Sequence, residues 1–343
     1  MAFVTIRDVA RKAGVSITAV SQILHGKGRF SDETKELVRK TVDELGYVPD
    51  SRAQGIRLSE SKTVGLLVPD IRNPFFADLV SSMEEQLYER GYSTLIGTSA
   101  ENVERQDAFI TTLLGQRIDG AIVVPEGADS PGIRTIIDRE LPLVFVDRRV
   151  EGVDTVPFVV SDPYPGIESA VETLRQLGHR RVGFVGHPSL RSFSVNERET
   201  AFRAIAGKLL GEEGTVVVEC DNSFRSRKDA LTELLSAGVS AILFAYSPDA
   251  IAVIGLLHDR NMDLGTDMSV ISFDDIDAFR LMSPQVAIIS QQTADMGRQG
   301  VEMLLSRIGV KRKRRAENRR IPTVFVQRGS VGVAPQTLHG FPA

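Results

Sequence analysis

The sequence predicts an α/β protein with a small all-α module at its N-terminus. Three observations lead there. The stretch TIRDVARKAGVSITAVSQIL, Thr5 to Leu24, holds two short amphipathic segments separated by Gly-Val. From Thr63 onward, apolar strand-like runs alternate with amphipathic segments. The charge is also divided: residues 1–62 carry 11 Lys/Arg and 8 Asp/Glu, a net of +3, which leaves −7 for the rest of a chain that totals −4. A basic end on an acidic body is the asymmetry expected when one domain alone meets a polyanion.

The module at the start follows from spacing. Ile6, Val9, Ala10 and Ala13 recur at i, i+3, i+4 and i+7, one face of a helix. Gly14-Val15 supplies a tight turn, because glycine has the backbone freedom for it. Ser16 is a good N-cap for a second helix whose inward face is Val20, Ile23 and Leu24. Two short helices crossing closely at small residues make a helix-turn-helix. Ser31 caps a third helix, Asp32 and Glu33 suit its positive end, Val38, Val42 and Leu45 point inward, and Gly46 ends it. Ile17, Thr18 and Gln22 then face outward at the start of the second helix, where a recognition helix meets base edges in a major groove. Gln pairs with adenine, and Thr and Ile meet a thymine methyl. Ser16, Ser21 and nearby basic residues suit phosphates.

The remaining totals narrow the class. A chain of 343 residues suggests two or three domains, and 42% hydrophobic with 25% charged residues is ordinary globular composition. The single cysteine, Cys220, excludes an intramolecular disulfide or a Cys-based zinc site and fits a reducing cytoplasm. No apolar run approaches the ~20 residues that span a bilayer, and the N-terminus lacks a signal-peptide core, so the expectation is a cytoplasmic protein without membrane contact. There is no G-x-S-x-G elbow, P-loop or H-E-x-x-H, and the five His, at 25, 179, 187, 258 and 339, have no ligand spacing. The expectation is therefore no enzyme, no metal and no cofactor.

TIRDVARKAGVSITAVSQIL followed by RFSDETKELVRKTVDELGYVPDSRAQGIRL resembles the headpiece of the lactose-repressor (LacI/GalR-type) family, through three helices, the LGYVPD exit and a short hinge. The resemblance implies a helix-turn-helix headpiece over residues 1–47 and a hinge helix over 48–62 that forms on operator DNA. Its wedge into a central base step falls on Ile56, where relatives usually carry Leu. Gly55 beside it lowers helix propensity by about 1 kcal/mol relative to Ala, so the hinge depends on DNA to fold. Ala19 stands where relatives often have Thr, which removes one phosphate contact.

The body reads as strands TVGLLVPD, STLIGT, GAIVVP, LVFVD, RVGFVG, TVVVE, SAILFA and SVISFD, most of them separated by helical segments. Strands apolar throughout and separated by helices imply parallel sheets covered on both faces. They are too many for one comfortable sheet, which gives two Rossmann-like lobes. The family resemblance extends nearly to the C-terminus. It implies a two-lobed periplasmic-binding-protein-like core over residues 63–343, with an effector cleft between the lobes. On that pattern the N-lobe spans about 63–161 and 292–322 and the C-lobe about 162–291 and 323–343, with crossings near Ser161, Gln291 and Pro322.

Parallel sheets hold ligands beyond the carboxyl ends of their strands. In PDIRNPFF, Asn73 caps a helix and Pro74 takes its first turn. By resemblance, Asn73 also binds a hydroxyl, and Phe75 and Phe76 offer their faces to a sugar ring. Asp147 and Arg148 in FVDRR, Arg198 in NERETAF, Asp274 in ISFDD and Gln291 in IISQQ complete a set resembling the pocket of ribose-binding relatives. Two places depart from the family. YSPDAIA has Pro248 where relatives commonly have Asn and retains Asp249, and DNSFRSRKDA leaves Asn222 or Phe224 to line the pocket. Both changes lie in the C-lobe and suggest a ligand larger than a free pentose, such as a ribonucleoside.

The run KRKRRAENRR, Lys311 to Arg320, reads as a solvated loop between a helix and the strand TVFVQR. The C-terminal segment VAPQTLHGFPA shows no leucine heptads, so a homodimer is expected. Together these observations predict a DNA-binding regulator, a repressor first, that binds a pseudo-palindromic operator and senses ribose or a ribonucleoside. The rival expectation is a cytoplasmic sugar-binding module without DNA activity, which the basic headpiece argues against.

Overall fold

The computed structural model describes residues 4–48, 60–126, 130–188, 192–310 and 316–336, and the chain divides into two units, 1–61 and 62–343. The first unit holds α1 (Ile6–Ala13), α2 (Ile17–Leu24) and α3 (Asp32–Leu45). Thr5 N–H donates to the Asp8 carboxylate at 3.0 Å, a reciprocal cap that starts α1. Gly14 ends that helix at φ 68°, a conformation costly for any residue with a Cβ. Ser16 Oγ accepts from Ala19 N–H at 3.1 Å and Ser31 Oγ from Thr34 N–H at 3.3 Å; such caps contribute about 1 kcal/mol each. Val9, Val20 and Val38 are wholly buried where the helices meet, with Ala10 and Ala13 allowing close approach. Burying each Val contributes about 1.5–3 kcal/mol. The hinge segment, including Ile56, falls at 49–59 and lies outside the described residues.

The second unit contains two six-stranded sheets. In the N-lobe, β1 (Thr63–Val68), β2 (Ser93–Thr98), β3 (Gly120–Val123), β4 (Leu143–Val146), β5 (Phe158–Asp162) and β11 (Arg319–Pro322) run parallel in the order β11-β5-β4-β3-β1-β2. In the C-lobe, β6 (Val182–Gly186), β7 (Thr215–Glu219), β8 (Ala241–Phe244), β9 (Ser269–Phe273), β10 (Ala287–Ser290) and β12 (Val324–Val326) take the order β12-β10-β9-β8-β6-β7. The edge strand β12 pairs antiparallel with β10.

Helices cover both faces of each sheet. On the N-lobe, α4 (Pro74–Tyr88) and α12 (Thr293–Leu305) pack one side, and α5 (Val103–Gly115) and α6 (Pro131–Asp138) the other. On the C-lobe the pairs are α7 (Tyr164–Gln176) with α8 (Phe193–Leu210), and α9 (Phe224–Ser236) with α10 (Ser247–His258). The short α11 (Asp277–Leu281) follows β9. Successive strand residues serve opposite faces: Leu66 joins the α4 side and Leu67 the α5 side, and Leu243 and Phe244 divide likewise. That is why the strands read as unbroken apolar runs.

Three strands differ from the sequence expectation. β5 follows β4 through residues 147–157 with no helix between, so it breaks the strand–helix period that marked the others. β10 is four residues long. β11 reads RRIP, and its edge position accommodates both the charges and the proline. Arg319 and Arg320 thus belong to a strand, not to a solvated loop, and residues 311–315 of that basic run lie outside the described residues. Arg320 Nη2 reaches across to Glu197 on α8 at 2.7 Å, and Arg149 stacks on Phe193, 4.2 Å from its ring centroid, so the lobes touch at both places.

The chain passes between lobes from β5 to α7, from β10 to α12 and from β11 to β12. Thr323 ties two of these passages together. Its Oγ accepts from Gly166 N–H at 3.0 Å and donates to Asp162 C=O at 2.8 Å. A Cβ on Gly166 would stand 2.5 Å from that oxygen, which explains a glycine there. Thr323→Val keeps the shape and the bond from its own backbone N–H to Asp162 C=O but strands the buried Gly166 N–H, which should cost about 1–3 kcal/mol. Thermal unfolding should register a fall of several degrees; an unchanged Tm would mean the crossings are held by other contacts.

Candidate functional site

The loops after the strands of both lobes line a partly open cavity, with about 280 Å³ of empty space between its walls, open solvent included. The N-lobe supplies Asn73, Phe75 and Phe76 from the start of α4, and Asp147 and Arg148 from the end of β4. The C-lobe supplies Arg198 on α8 and Asp274 after β9, and Gln291 enters from the second crossing. These eight of the ten effector-site residues expected from the sequence line one space. Ser192, Ser194, Val195 and Tyr246 line it too, and the sequence reading passed over them. Tyr246 was visible as an aromatic directly behind a strand, and the serines as a polar run ahead of NERETAF.

Phe224 and Asp249 do not line it. Phe224 opens α9 and is 66% exposed, because the turn at Asp221 and Ser223 carries its ring to the surface. Asn222 spends its backbone carbonyl and side-chain oxygen on Arg227. Asp249 is buried but faces into the C-lobe, where Arg227 Nε donates to Oδ1 at 2.8 Å and His187 Nδ1 lies 2.7 Å from Oδ2. Pro248 shares the first turn of α10 with it, and Tyr246 takes the place at the cavity. The residues expected to face DNA, on α2 and at its cap, lie in the first unit: Ser16, Ile17, Thr18 and Gln22 are exposed and Ser21 half-buried.

Each cavity residue is positioned by a local reason. Asn73 Oδ1 accepts from Phe75 N–H at 3.1 Å, so the cap of α4 fixes its amide and leaves the NH₂ free to donate. Phe75 and Phe76 meet edge to face, with centroids 5.0 Å apart. Arg148 is clamped by Glu101 through two bonds of 2.7 and 2.8 Å, with Glu126 at 3.5 Å. Arg198 Nη1 donates to Ala245 C=O at 2.6 Å, and its guanidinium lies 4.3 Å from the Phe273 ring centroid. Gln291 Nε2 donates to Asp274 Oδ1 at 2.6 Å and its Oε1 accepts from Ser161 at 2.7 Å.

Asp147 and Asp274 both adopt left-handed backbone, at φ 63° and 73°. Such strain costs on the order of 1–3 kcal/mol and clusters at functional sites. Burial raises the pKa of both carboxyls, that of Asp147 to about 6. Asp147 Oδ1, Arg148 Nε and Arg198 Nε are buried without a hydrogen-bond partner among the described residues. The wall thus offers one unpaired acceptor and two unpaired donors. Its formal charges cancel: two Asp against two Arg, with Glu101 and Glu126 behind them.

A helix-turn-helix unit and a two-lobed core with a polar cavity, on one chain, define a ligand-controlled DNA-binding regulator. Residues 5–50 match the family described as bacterial regulatory proteins, lacI family, and residues 171–331 match the periplasmic binding protein-like domain. The chain is 28% identical over 334 residues to the HTH-type transcriptional repressor PurR of Edwardsiella ictaluri, covering 96% of this chain and 98% of that one. The structure of the lac repressor dimer bound to operator and the anti-inducer ONPF has the same fold, with a TM-score of 0.81 and 24% identity over 96% of this chain and 99% of that one. That of a LacI family regulator from Enterococcus faecium with bound ribose gives 0.69 and 24%, over 79% and 99%. Headpiece and core are thus similar, in that order along the chain, to those of the LacI family of DNA-binding transcriptional regulators. No described helix is long and apolar enough to cross a membrane.

The carboxyl pair behind Arg148 generates a pH prediction. Burial, followed by its hydrogen bond to Glu101, pushes Glu126 up to about 7, whereas Arg148 more than reverses the effect of burial on Glu101. Between the ordinary carboxyl range and about pH 7 the folded chain then holds a proton that the unfolded chain has released, so stability falls as pH rises through that window. Glu126→Gln keeps the neutral form's shape and should remove this loss. The Tm advantage of the variant over wild type should grow between about pH 5 and about pH 8. A constant difference would mean that Glu126 titrates normally.

Proposed function

We infer that this protein is a repressor whose operator affinity is set by a small, uncharged polyhydroxyl effector held between the lobes, with a pentose ahead of a ribonucleoside. The observation that carries the reading is the cavity's chemistry. Unpaired donors and an unpaired acceptor stand side by side on a wall of zero net charge, next to two aromatic rings. A hydroxyl both donates and accepts, so neighbouring hydroxyls satisfy Asp and Arg together, while the C–H face of a sugar ring covers the aromatics. A charged ligand would leave one of the wall's own charges unbalanced. The pentose ranks first because Tyr246 closes the C-lobe side and Asp249 is turned away, which leaves less room for a base than the YSPDA departure suggested.

In this reading Asn73, Asp147, Arg148, Arg198, Asp274 and Gln291 bind hydroxyls, and Phe75 and Phe76 stack on the ring. Ile17, Thr18 and Gln22 meet base edges, Ser16 and Ser21 hold phosphates, and Ile56 is the minor-groove wedge. A homodimer presents two α2 helices to a pseudo-palindromic site. The effector acts by binding one lobe arrangement better than the other.

Calorimetric titration with D-ribose, then uridine and adenosine, tests the effector class, ribose being the sugar bound in the Enterococcus structure. Saturable ribose binding is expected. Asp274→Asn keeps the Gln291 hydrogen bond and tolerates the left-handed backbone, so it should weaken ribose by roughly 10- to 150-fold, the loss of one charge-assisted bond. Operator affinity without effector should stay the same. Silence toward all three compounds, or an unaffected variant, would remove the polyhydroxyl assignment.

The headpiece carries its own test. Gln22→Ala should weaken binding to the specific operator by about 1–3 kcal/mol and leave nonspecific binding nearly unchanged. Equal losses on both DNAs in a gel-shift titration would place Gln22 on the backbone instead.

A further inference from the structure

Beside the cavity, the described residues bring together a second set of chemistry-bearing side chains. His187 follows β6, Cys220 follows β7, and Asp249 lies in the first turn of α10 after β8. Those three strands are adjacent in the C-lobe sheet, in the order β8-β6-β7, so all three residues emerge at the carboxyl edge where α/β sheets hold ligands. Linear spacing hides the cluster, because 33 and 62 residues separate His187 from its two neighbours. A zinc site built only from cysteines is excluded by the lone Cys220, but a mixed one is not.

All three side chains are buried. His187 Nδ1 lies 2.7 Å from Asp249 Oδ2 and 3.9 Å from Cys220 Sγ, and one ligand atom from each of the three residues falls within 4.8 Å of the other two. A tetrahedral zinc-type ion, bound at about 2.0–2.3 Å, spaces such ligand atoms about 3.3–3.6 Å apart. The imidazole and the carboxylate therefore need to part by well under an ångström, while the sulfur needs to close by a few tenths of an ångström on the imidazole nitrogen and by up to about 1.2 Å on the carboxylate. Arg227 holds the other oxygen of Asp249, the kind of outer partner that orients a ligating carboxylate. Among the described residues His187 Nε2 is buried with no hydrogen-bond partner, so the ring can carry its proton there and present Nδ1.

We propose that His187 Nδ1, Cys220 Sγ and Asp249 Oδ2 form a binding site for a borderline-soft divalent cation, zinc foremost, with a fourth position left to water. The N, S and O donor set suits that class over calcium or magnesium, which prefer oxygen alone. On binding, the S–H bond breaks, the metal–sulfur bond forms and the proton goes to solvent, so affinity rises with pH. The His187 ring meets that of Tyr246 edge-on, 5.1 Å between centroids, and Tyr246 lines the cavity. An ion would thus brace one wall of the effector cavity and give the regulator a second input.

The test uses the full-length protein, freed of metal with a chelator and titrated with Co²⁺. One equivalent per chain should produce tetrahedral visible bands and a thiolate-to-cobalt charge-transfer band, and Zn²⁺ should displace both. Because Cys220 is the only cysteine, the charge-transfer band identifies it in the wild-type protein, whether or not any variant folds. Cys220→Ser should abolish the band. His187→Gln should weaken Co²⁺ binding by at least about tenfold, the loss that removing even an outer partner produces. No cobalt binding, or binding without a sulfur band, would overturn the proposal.

Discussion

The run of hydrogen bonds from Ser161 through Gln291 to Asp274 is the constraint on which the effector core depends. It begins on the last strand before the first lobe crossing, passes through the second crossing and ends on a buried carboxylate of the C-lobe. Gln291 has a donor and an acceptor, and both are engaged, so its amide cannot rotate without losing a buried bond. The third crossing is tied to the first by Thr323. Movement of one lobe against the other must therefore pass through a few linked polar contacts, and one of these belongs to the cavity wall.

The same wall stores electrostatic cost. Four buried charges line it, and the surroundings hold each of them by a different device: a carboxylate clamp on Arg148, a carbonyl and an aromatic face on Arg198, an amide on Asp274. Asp147 has the least: one of its oxygens is unpartnered among the described residues, its backbone is left-handed, and burial lifts its pKa to about 6. Buried charges lacking partners destabilise a fold unless something else compensates. Here the unmet bonding capacity is concentrated where a ligand would stand. That is the pattern of a site prepared in advance for hydroxyls.

Much of this was legible in the sequence because it rests on local rules. The caps at Ser16, Ser31 and Asn73, the turn at Gly14 and the unbroken apolar strands are written in neighbouring residues. Strand ends locate the carboxyl edge of a sheet, and so Asp147, Arg148 and Asp274 could be picked out. What could not be read depends on tertiary direction. Asp249 lies at a strand end like the others, yet Arg227 and His187 draw its carboxylate into the lobe. β11 resembles a basic loop until β5 offers it a parallel edge. His187, Cys220 and Asp249 have no spacing in the chain, because it is the sheet order β8-β6-β7 that makes them neighbours.

The division of the wall between lobes bears on how an effector could switch the protein. Moving a two-state equilibrium from 1:99 to 99:1 takes about 5.5 kcal/mol of preference for one state. Contacts to a single lobe supply none of it, since they exist in both lobe arrangements. Only bonds made by the opposite lobe distinguish the states. Asp274 and Arg198 stand on the C-lobe, facing Asn73, Asp147 and Arg148 on the N-lobe. At about 1.5–3 kcal/mol for each charge-assisted bond, two such contacts provide about 3–6 kcal/mol. That range reaches what a full switch requires, so a ligand as small as a pentose is sufficient if it spans the two lobes.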